Sequence, residues 1–299
     1  MKKILLTGVN GQVGHALKTG LSQHEVIALS REQLDLTKVH DIKRIVREIK
    51  PDLIINPAAY TAVDKAESEP ELAFAINATA AQILAEEAAR LNAALIHFST
   101  DYVYDGNKTG AYSETDTVNP VSVYGKSKLA GEDAIRAVGL PHLILRTSWV
   151  YGAYGKNFLN TILRLAAERD NLRIVGDQFG APTSSASIAD AIAQLVTVWR
   201  PEEKYQSGTY HFTNAGRTTW HAFSCAIVSE YNRIATEKHW PSLKAEVKNI
   251  AAIATLDYPT PAARPGNSCL DNSKLKETFG VALPNWQQGV QQVMQTLQL

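Results

Sequence analysis

Cysteine is scarce in this sequence, and neither sign of charge is in excess. Among 299 residues only Cys225 and Cys269 are cysteines, and 30 lysines and arginines balance 30 aspartates and glutamates. Two cysteines supply neither a disulfide framework nor the spacing of a metal site, so we expect both to be small buried residues. A formal net charge of zero lacks the basic excess that is typical of nucleic-acid-binding proteins.

Long apolar runs are missing as well. No stretch approaches the ~18 apolar residues that a membrane-spanning helix needs. Only three apolar residues lie between Lys3 and Thr7, whereas a secretory signal needs an apolar stretch of roughly 7–15 residues. We therefore predict a cytoplasmic protein that has neither a membrane partner nor a nucleic-acid partner.

Strand and helix patterns alternate through the first half of the chain. Predicted strands at residues 3–7, 25–29, 53–56, 94–98 and 142–146 are separated by predicted helices at 13–21, 41–50, 71–91 and 124–138. This alternation is typical of α/β proteins, in which helices cover both faces of a parallel sheet. We predict a Rossmann-type doubly wound parallel sheet in residues 1–150. A smaller mixed C-terminal substrate lobe, residues 151–299, should include the segments 208–213, 221–231 and 245–250, with the chain crossing back to the first domain.

Three glycines follow the first predicted strand at regular intervals. Gly8, Gly11 and Gly14 form G-x-x-G-x-x-G, a variant of the G-x-G-x-x-G dinucleotide fingerprint. Such a turn lets backbone N–H groups and the positive end of the next helix face a pyrophosphate. Three of eighteen glycines can be ordinary turn residues. Their position directly after an N-terminal strand instead favours an NAD(P)-binding domain.

The residues after the second and third strands bear on the choice of cofactor. Ser30 and Arg31 stand where an NAD-selective site has an acid, so they favour the 2′-phosphate of NADPH, with NADH as an alternative donor. The other interpretation of Arg31 is a solvated loop residue. Further cofactor contacts are predicted at the adenine edge and in a loop of small residues, namely Asp35, Leu36, Ala58, Ala59 and Tyr60.

A tyrosine and a lysine four residues apart follow a loop that contains a proline. Pro120 cannot lie inside a helix and Ser122 can cap the next one, so Tyr124 and Lys128 should share a helix face. A nearby ammonium lowers the pKa of a phenol from about 10, which would let Tyr124 protonate a substrate oxygen as a hydride reaches the carbon. Thr100, at a strand end, can donate a hydrogen bond to that oxygen.

The spacing Tyr-x-x-x-Lys is weak evidence by itself and is often only a surface pair. It occurs a second time at Tyr104 and Lys108, where Gly106 and Asn107 predict a turn rather than a helix. We therefore interpret this second pair as unrelated to catalysis.

Two later positions have open interpretations. Trp149 can be a core residue or a flat wall against a sugar or base. Arg264 lies in a proline-rich loop, residues 259–268, where a guanidinium fork suits a diphosphate but an ordinary surface loop is about as plausible.

Together these motifs resemble the extended short-chain dehydrogenase/reductases. The resemblance rests on the glycine loop, the sequence STDYVY at residues 99–104, and Tyr124-x-x-x-Lys128. Four further blocks, at residues 61–67, 146–151, 177–183 and 264–268, are similar to those of the dTDP-4-dehydrorhamnose reductases. This likeness covers essentially the whole chain.

The resemblance implies reduction of the 4-keto group of a dTDP-sugar by an NAD(P)H-dependent enzyme. Tyr124, Lys128 and Thr100 would be catalytic. The cofactor would be held by the residues predicted above together with Asn10, Gln12 and Val13, and the substrate by Thr100 and by Val63, Asp64, Asp101, Trp149, Arg264 and Asn267. Made in this way, dTDP-L-rhamnose would serve cell-surface polysaccharide.

Departures from the family pattern limit other interpretations. Related dehydratases carry a glutamate where this chain has Tyr102, so a dehydratase is not expected. Some relatives form a dimer through magnesium held by glutamates. The aligned positions here are Ala16, Ala186 and Thr296, so we expect no metal site and a monomer or weak homodimer. A related nucleotide-sugar reductase or epimerase, and a non-catalytic regulatory subunit of this fold, remain as alternatives.

Overall fold

The computed structural model describes residues 1–298 as an α/β fold. Its twelve strands are β1 (Lys3–Leu6), β2 (Glu25–Ala28), β3 (Leu53–Asn56), β4 (Ala94–Thr100), β5 (His142–Thr147), β6 (Val150–Tyr151), β7 (Leu172–Val175), β8 (Phe179–Gly180), β9 (Thr183–Ser184), β10 (Gly208–His211), β11 (Thr218–Thr219) and β12 (Ile250–Ile253). Its α-helices are α1 (Gln12–Gly20), α2 (Val39–Ile49), α3 (Val63–Ala66), α4 (Pro70–Phe74), α5 (Ala80–Arg90), α6 (Val123–Val138), α7 (Phe158–Glu168), α8 (Ser185–Val198), α9 (Trp220–Lys238), α10 (Ser273–Phe279) and α11 (Trp286–Thr296).

Six strands form one parallel sheet in the order β10-β5-β4-β3-β1-β2. Every residue of β3 and β4 is buried, which explains why these strands are almost continuously apolar instead of alternating. In register, Ile55 pairs with both Leu6 and Ile96, so the carboxyl ends of β1, β3 and β4 lie at one edge. The predicted doubly wound sheet is confirmed, and its functional edge is the one where the glycine loop and Thr100 emerge.

The second half of the chain contributes more to this sheet than we predicted. Residues 208–213 were assigned to the C-terminal lobe, but β10 is the edge strand of the main sheet and pairs with β5. Likewise α8 packs against α1, with Ala189 beside Gly20. Both segments cover apolar surface that residues 1–150 leave exposed, so burial determines their place rather than sequence order.

A separate apolar cluster organises the remaining helices. Helices α7, α9 and α11 bury Leu159, Phe223, Ile227 and Val290 against one another. The parallel pair β7–β12 lies against α9. This assembly is the mixed C-terminal part that the sequence predicts, without β10 and α8.

The helix predicted at residues 71–91 is continuous but not regular. Between α4 and α5 the backbone forms a π-helical turn, Ala75–Thr79. Asn77 in this turn accepts the N–H of Tyr60 at 2.8 Å and donates its amide to Ser127 at 2.9 Å. π-turns of this kind are frequent at functional sites, and this one joins the loop after β3 to α6.

The structure bears on the predictions made from the few cysteines and from the lack of long apolar runs. Both cysteines are free; Cys269 is buried as predicted, whereas Cys225 is half-buried. Within residues 1–298 no helix combines the length and the apolarity that a membrane crossing requires.

We predict that Gly131→Ala destabilises the protein. A methyl group there would overlap the backbone oxygen of Asn77 in the π-helical turn, and such overpacking typically costs about 1–3 kcal/mol. Urea unfolding should report this loss. Gly110→Ala is the matched control because the added methyl would meet nothing within 4 Å. Equal stability of the two variants would show that the contact between α6 and the π-turn is loose.

Candidate active site

A cleft of about 580 Å³ opens at the carboxyl edge of the sheet. Its floor is the glycine loop, where Gly8 adopts φ +61° and accepts the N–H of Gly11 at 2.9 Å. A side chain at position 14 would overlap the backbone oxygen of Gly8. The tight turn and the close approach of α1 therefore require glycine at both positions.

The cleft collects almost all of the predicted cofactor residues. Every one of them lines it except Ser30, whose hydroxyl instead donates to Glu32 at 2.5 Å. Several further residues line the cleft without any motif in the sequence to indicate them, including Ile76, Thr147, Gly155 and Lys156. Gln12 Oε1 is buried and has no hydrogen-bond partner among residues 1–298. An extended cleft with a glycine cradle and an unpartnered acceptor fits a dinucleotide.

Helix α6 carries the predicted tyrosine and lysine into this cleft. Ser122 caps the helix by accepting the N–H of Gly125 at 3.1 Å. Tyr124 and Lys128 both line the cleft, with exposed fractions of only 9% and 2%. Pro120 precedes the cap, as expected. The predicted shared face of Tyr124 and Lys128 is confirmed.

Lys128 is held from behind by strand β4. Its Nζ donates to the carbonyl of Phe98 at 2.7 Å and lies 3.3 Å from His97 Nε2. Burial lowers the pKa of Lys128 to about 8, while the charge of Glu132 opposes this change. Burial also holds the pKa of His97 well below its usual value, so this ring is neutral. The amine of Lys128 therefore loses its proton as the pH rises through about 8.

The prediction that the pKa of Tyr124 is lowered is wrong. Burial raises the pKa of Tyr124 to about 12; the negative charge of Asp101 adds to this change, and the neighbouring Thr100 hydroxyl opposes it. The reason is geometric, because the Lys128 amine is directed at Phe98 and His97. The protein thus keeps Tyr124 protonated, in the form that can donate a proton.

Thr100 and Asp101 form a second polar pair beside Tyr124. The Thr100 hydroxyl donates to Asp101 Oδ1 at 3.0 Å and accepts the N–H of Tyr102 at 3.3 Å. A hydroxyl has one hydrogen, so Thr100 must turn away from Asp101 to donate to a substrate oxygen. Asp101 Oδ2 is buried and has no partner among residues 1–298. Burial raises the pKa of Asp101 to about 6.

A buried ion pair that the sequence analysis missed fixes α6 on the sheet. Glu132 accepts two hydrogen bonds from Arg146 of β5, at 2.9 and 2.6 Å, and a third from Ser99 of β4 at 2.6 Å. Arg146 also donates to the hydroxyl of Tyr104 at 2.7 Å. The sequence did offer one indication of this pair: Glu132 follows Lys128 by four residues, which places it on the same buried face of α6.

The second Tyr-x-x-x-Lys pair has a structural role, and its predicted lack of a shared helix face is confirmed. Tyr104 is 1% exposed and contacts Arg146 and His211 through its hydroxyl. Gly106, at φ +80°, turns the chain. Lys108 then pairs with Asp116 at 2.6 Å.

The predicted substrate residues lie outside the cleft lining. Arg264 pairs with Asp64 at 2.8 Å, next to α3, which begins at Val63. Trp149 stacks on Trp220 with ring centroids 3.5 Å apart. Among residues 1–298 no cluster of three or more histidine, cysteine, aspartate or glutamate side chains could hold a metal ion.

Asn267 makes contacts that differ from a substrate contact. Its amide donates to the carbonyls of Lys108 and Gly110 at 2.7 and 2.8 Å, and its oxygen accepts the N–H of Cys269. The side chain thus holds one loop against another. Its assignment to substrate binding stays a prediction.

Comparison with known proteins identifies the family. A family model described as the RmlD substrate binding domain matches residues 1–299. The dTDP-4-dehydrorhamnose reductase of Burkholderia thailandensis is 47% identical to this chain, and the alignment covers 96% of each. The enzyme of the same name from Escherichia coli K12 is 41% identical over 98% of this chain and 97% of its own.

Solved structures agree with this assignment. A dTDP-4-dehydrorhamnose reductase from Bacillus anthracis, crystallised in complex with NADP, superimposes with a TM-score of 0.89 at 33% identity, covering 99% of this chain and all of its own. The cleft, the Tyr124–Lys128 pair and these full-length likenesses lead to one conclusion. The chain belongs to the dTDP-4-dehydrorhamnose reductase family of nicotinamide-dependent oxidoreductases.

Proposed function

We propose that this protein reduces the 4-keto group of dTDP-4-dehydro-L-rhamnose to give dTDP-L-rhamnose. The observation that carries the proposal is the position of Tyr124, protonated and buried, in the same cleft as the glycine loop. The named activity of the full-length relatives supports the choice of substrate. A regulatory subunit would not need this proton donor in a cofactor cleft, whereas an epimerase of this fold can share the Tyr–Lys pair, so the named activity of the relatives is what favours a reductase over an epimerase.

The protein's own groups would act at the ketone oxygen. When bound, a reduced nicotinamide would supply the hydride for carbon 4. Tyr124 donates its proton to the oxygen, and the Thr100 hydroxyl, turned away from Asp101, donates a hydrogen bond to the same atom. The Lys128 ammonium, turned from the carbonyl of Phe98 towards Tyr124, stabilises the phenolate that remains there. Asp101 Oδ2, which has no partner within residues 1–298, can accept a sugar hydroxyl.

The nucleotide end of the substrate would meet the Asp64–Arg264 pair. Burial raises the pKa of Tyr102, and the charges of Arg264 and Asp64 also affect it. The ring of Tyr102 lies edge-on to that of Tyr124, with centroids 5.4 Å apart, so the pair lies close to the catalytic groups. A diphosphate can compete with Asp64 for the guanidinium of Arg264, which is 20% exposed. Trp149 and Asn267 complete the set of residues that we assign to the substrate side.

NADPH would be the preferred donor, by a modest factor. Arg31 lines the cleft at the end of β2 and can pair with a 2′-phosphate. Glu32 follows it directly and is held by Ser30, so a negative charge lies close to the expected phosphate. The zero net charge supports a small-molecule substrate rather than a nucleic acid. Action in the cytoplasm, as a monomer or weak homodimer and without a membrane partner, belongs to the same proposal.

Replacing the proton donor should abolish turnover while sparing the cofactor. We expect Tyr124→Phe to bind NADPH almost normally and to lose about 10²–10⁴-fold in kcat. Lys108→Ala, in the structural pair, is the control and should retain activity. NADPH oxidation with the dTDP-4-keto sugar measures both variants. If Tyr124→Phe kept more than roughly a tenth of wild-type turnover, Tyr124 would not be the proton donor.

Turnover should depend on the protonation of Lys128. Since burial lowers the pKa of Lys128 to about 8, its ammonium is present below that pH and lost above it. We therefore expect kcat for reduction to fall as the pH rises through 8. In Lys128→Arg the guanidinium stays charged, so this decline should disappear although the rate is lower. A wild-type profile that stays flat to pH 9.5 would contradict the role of the ammonium.

Cofactor preference tests the residues after β2. Ser30→Asp with Arg31→Ala should shift the ratio of kcat/KM for NADPH and NADH towards NADH. Glu32→Gln, which removes only the nearby acid, should shift the ratio towards NADPH. Both ratios are measured at fixed ionic strength because exposed charges are screened. Unchanged ratios in both variants would show that these residues do not contact the 2′-phosphate.

A further inference from the structure

The loop between β6 and α7 forms a wall of the cofactor cleft that the sequence analysis did not predict. Asn157 caps α7 by accepting the N–H of Asn160 at 3.0 Å, and its amide donates to the carbonyl of Gly152 at 2.8 Å. Asn160 donates to the carbonyl of Gly155 at 2.9 Å, where the backbone adopts φ +78°. The loop is therefore tied to the start of α7 and has a defined path.

The same loop lies on the first turns of α1. The ring of Tyr154 stacks on His15 of α1, with centroids 3.9 Å apart and planes within 6°. Gln12, the first residue of α1, donates to the carbonyl of Val150 at 3.4 Å, and its side chain lies beside Gly155. Lys156, the next residue, is thereby carried to the helix end at which a pyrophosphate binds.

The distribution of charge in the cleft indicates what Lys156 can bind. The residues from Gly8 to Gly14 carry no charged side chain, so a diphosphate bound to this turn would meet backbone N–H groups and no cation from the turn itself. The cleft is lined by three cations, Arg31, Lys128 and Lys156, and by one carboxylate, Asp35. Within residues 1–298 Lys156 has no carboxylate partner within 4 Å.

The three cations are distributed along the cleft. Arg31 follows β2, at the adenosine end, and Lys128 lies beside Tyr124, at the end where reduction would occur. The loop of Lys156 packs on Gln12 at the glycine turn, where the middle of a dinucleotide would bind. A cation at this position would meet the diphosphate, the doubly charged bridge that NADH and NADPH share.

We propose that Lys156 is a cofactor-binding residue whose ammonium pairs with the diphosphate bridge of the nicotinamide dinucleotide. This inference rests on the proposed function, because it assumes that the cleft binds such a cofactor. It assigns Lys156 a role distinct from that of Arg31. Arg31 would distinguish NADPH from NADH, whereas Lys156 would strengthen both equally.

Cofactor titration followed by nicotinamide fluorescence tests the assignment. We expect Lys156→Ala to raise the Kd for NADPH and for NADH by the same factor, about 3–10-fold at low salt, and by less as salt screens the exposed charge. Lys156→Arg should restore most of the affinity. In competition with NADPH, ADP-ribose, which has the diphosphate, should lose more affinity than AMP. Arg31→Ala should instead weaken NADPH alone.

Matched controls separate the possible outcomes. Lys18→Ala removes one exposed lysine from the far end of α1 and should leave both Kd values unchanged. An unchanged Kd for NADH in Lys156→Ala, or a loss confined to NADPH, overturns the inference alone. A wild-type protein that binds neither NADPH nor NADH overturns the proposed function together with the inference.

Discussion

The buried ion pair between Glu132 and Arg146 is the interaction on which the candidate active site depends. Their side chains are 0% and 3% exposed, so water solvates neither charge and each compensates the other, with Arg136 as a second partner of Glu132 at 3.1 Å. Removing one partner of such a pair typically costs about 3–5 kcal/mol, because it leaves a buried charge without compensation. Since Glu132 lies on α6 and Arg146 on β5, the pair fixes the helix that carries Tyr124 and Lys128 relative to the strand ends.

Burial also determines the protonation states of the proposed catalytic groups. The same loss of water keeps Tyr124 protonated, lowers the pKa of Lys128 to about 8 and raises the pKa of Asp101 to about 6. Burial thus favours the uncharged form of all three groups. A buried site of this kind can keep a proton donor loaded without a neighbouring charge that would remove its proton.

The sequence predicts those features of the structure whose contacts lie within a few residues of one another. The strands of the sheet are short apolar runs, and the contacts of the glycine turn and the Ser122-capped helix lie within a few residues, so the sequence alone indicates them. The pairing of Glu132 with Arg146, and of Asp64 with Arg264 across 200 positions, depends on how the sheet folds. The position of β10 and the pKa of Tyr124 could not be predicted for the same reason, because both result from packing between distant segments.

The return of α8 and β10 to the first half of the molecule has a consequence for synthesis. A nascent chain that has reached residue 150 already contains the glycine turn, Tyr124 and Lys128. Its strand β5 still has an open edge, and the face of α1 that Ala189 will cover is still bare. An unpaired parallel edge of this kind is prone to aggregation. The ribosome must therefore deliver about sixty further residues, to His211, before β10 pairs with β5, and throughout this interval the chain exposes surface on which a chaperone can act.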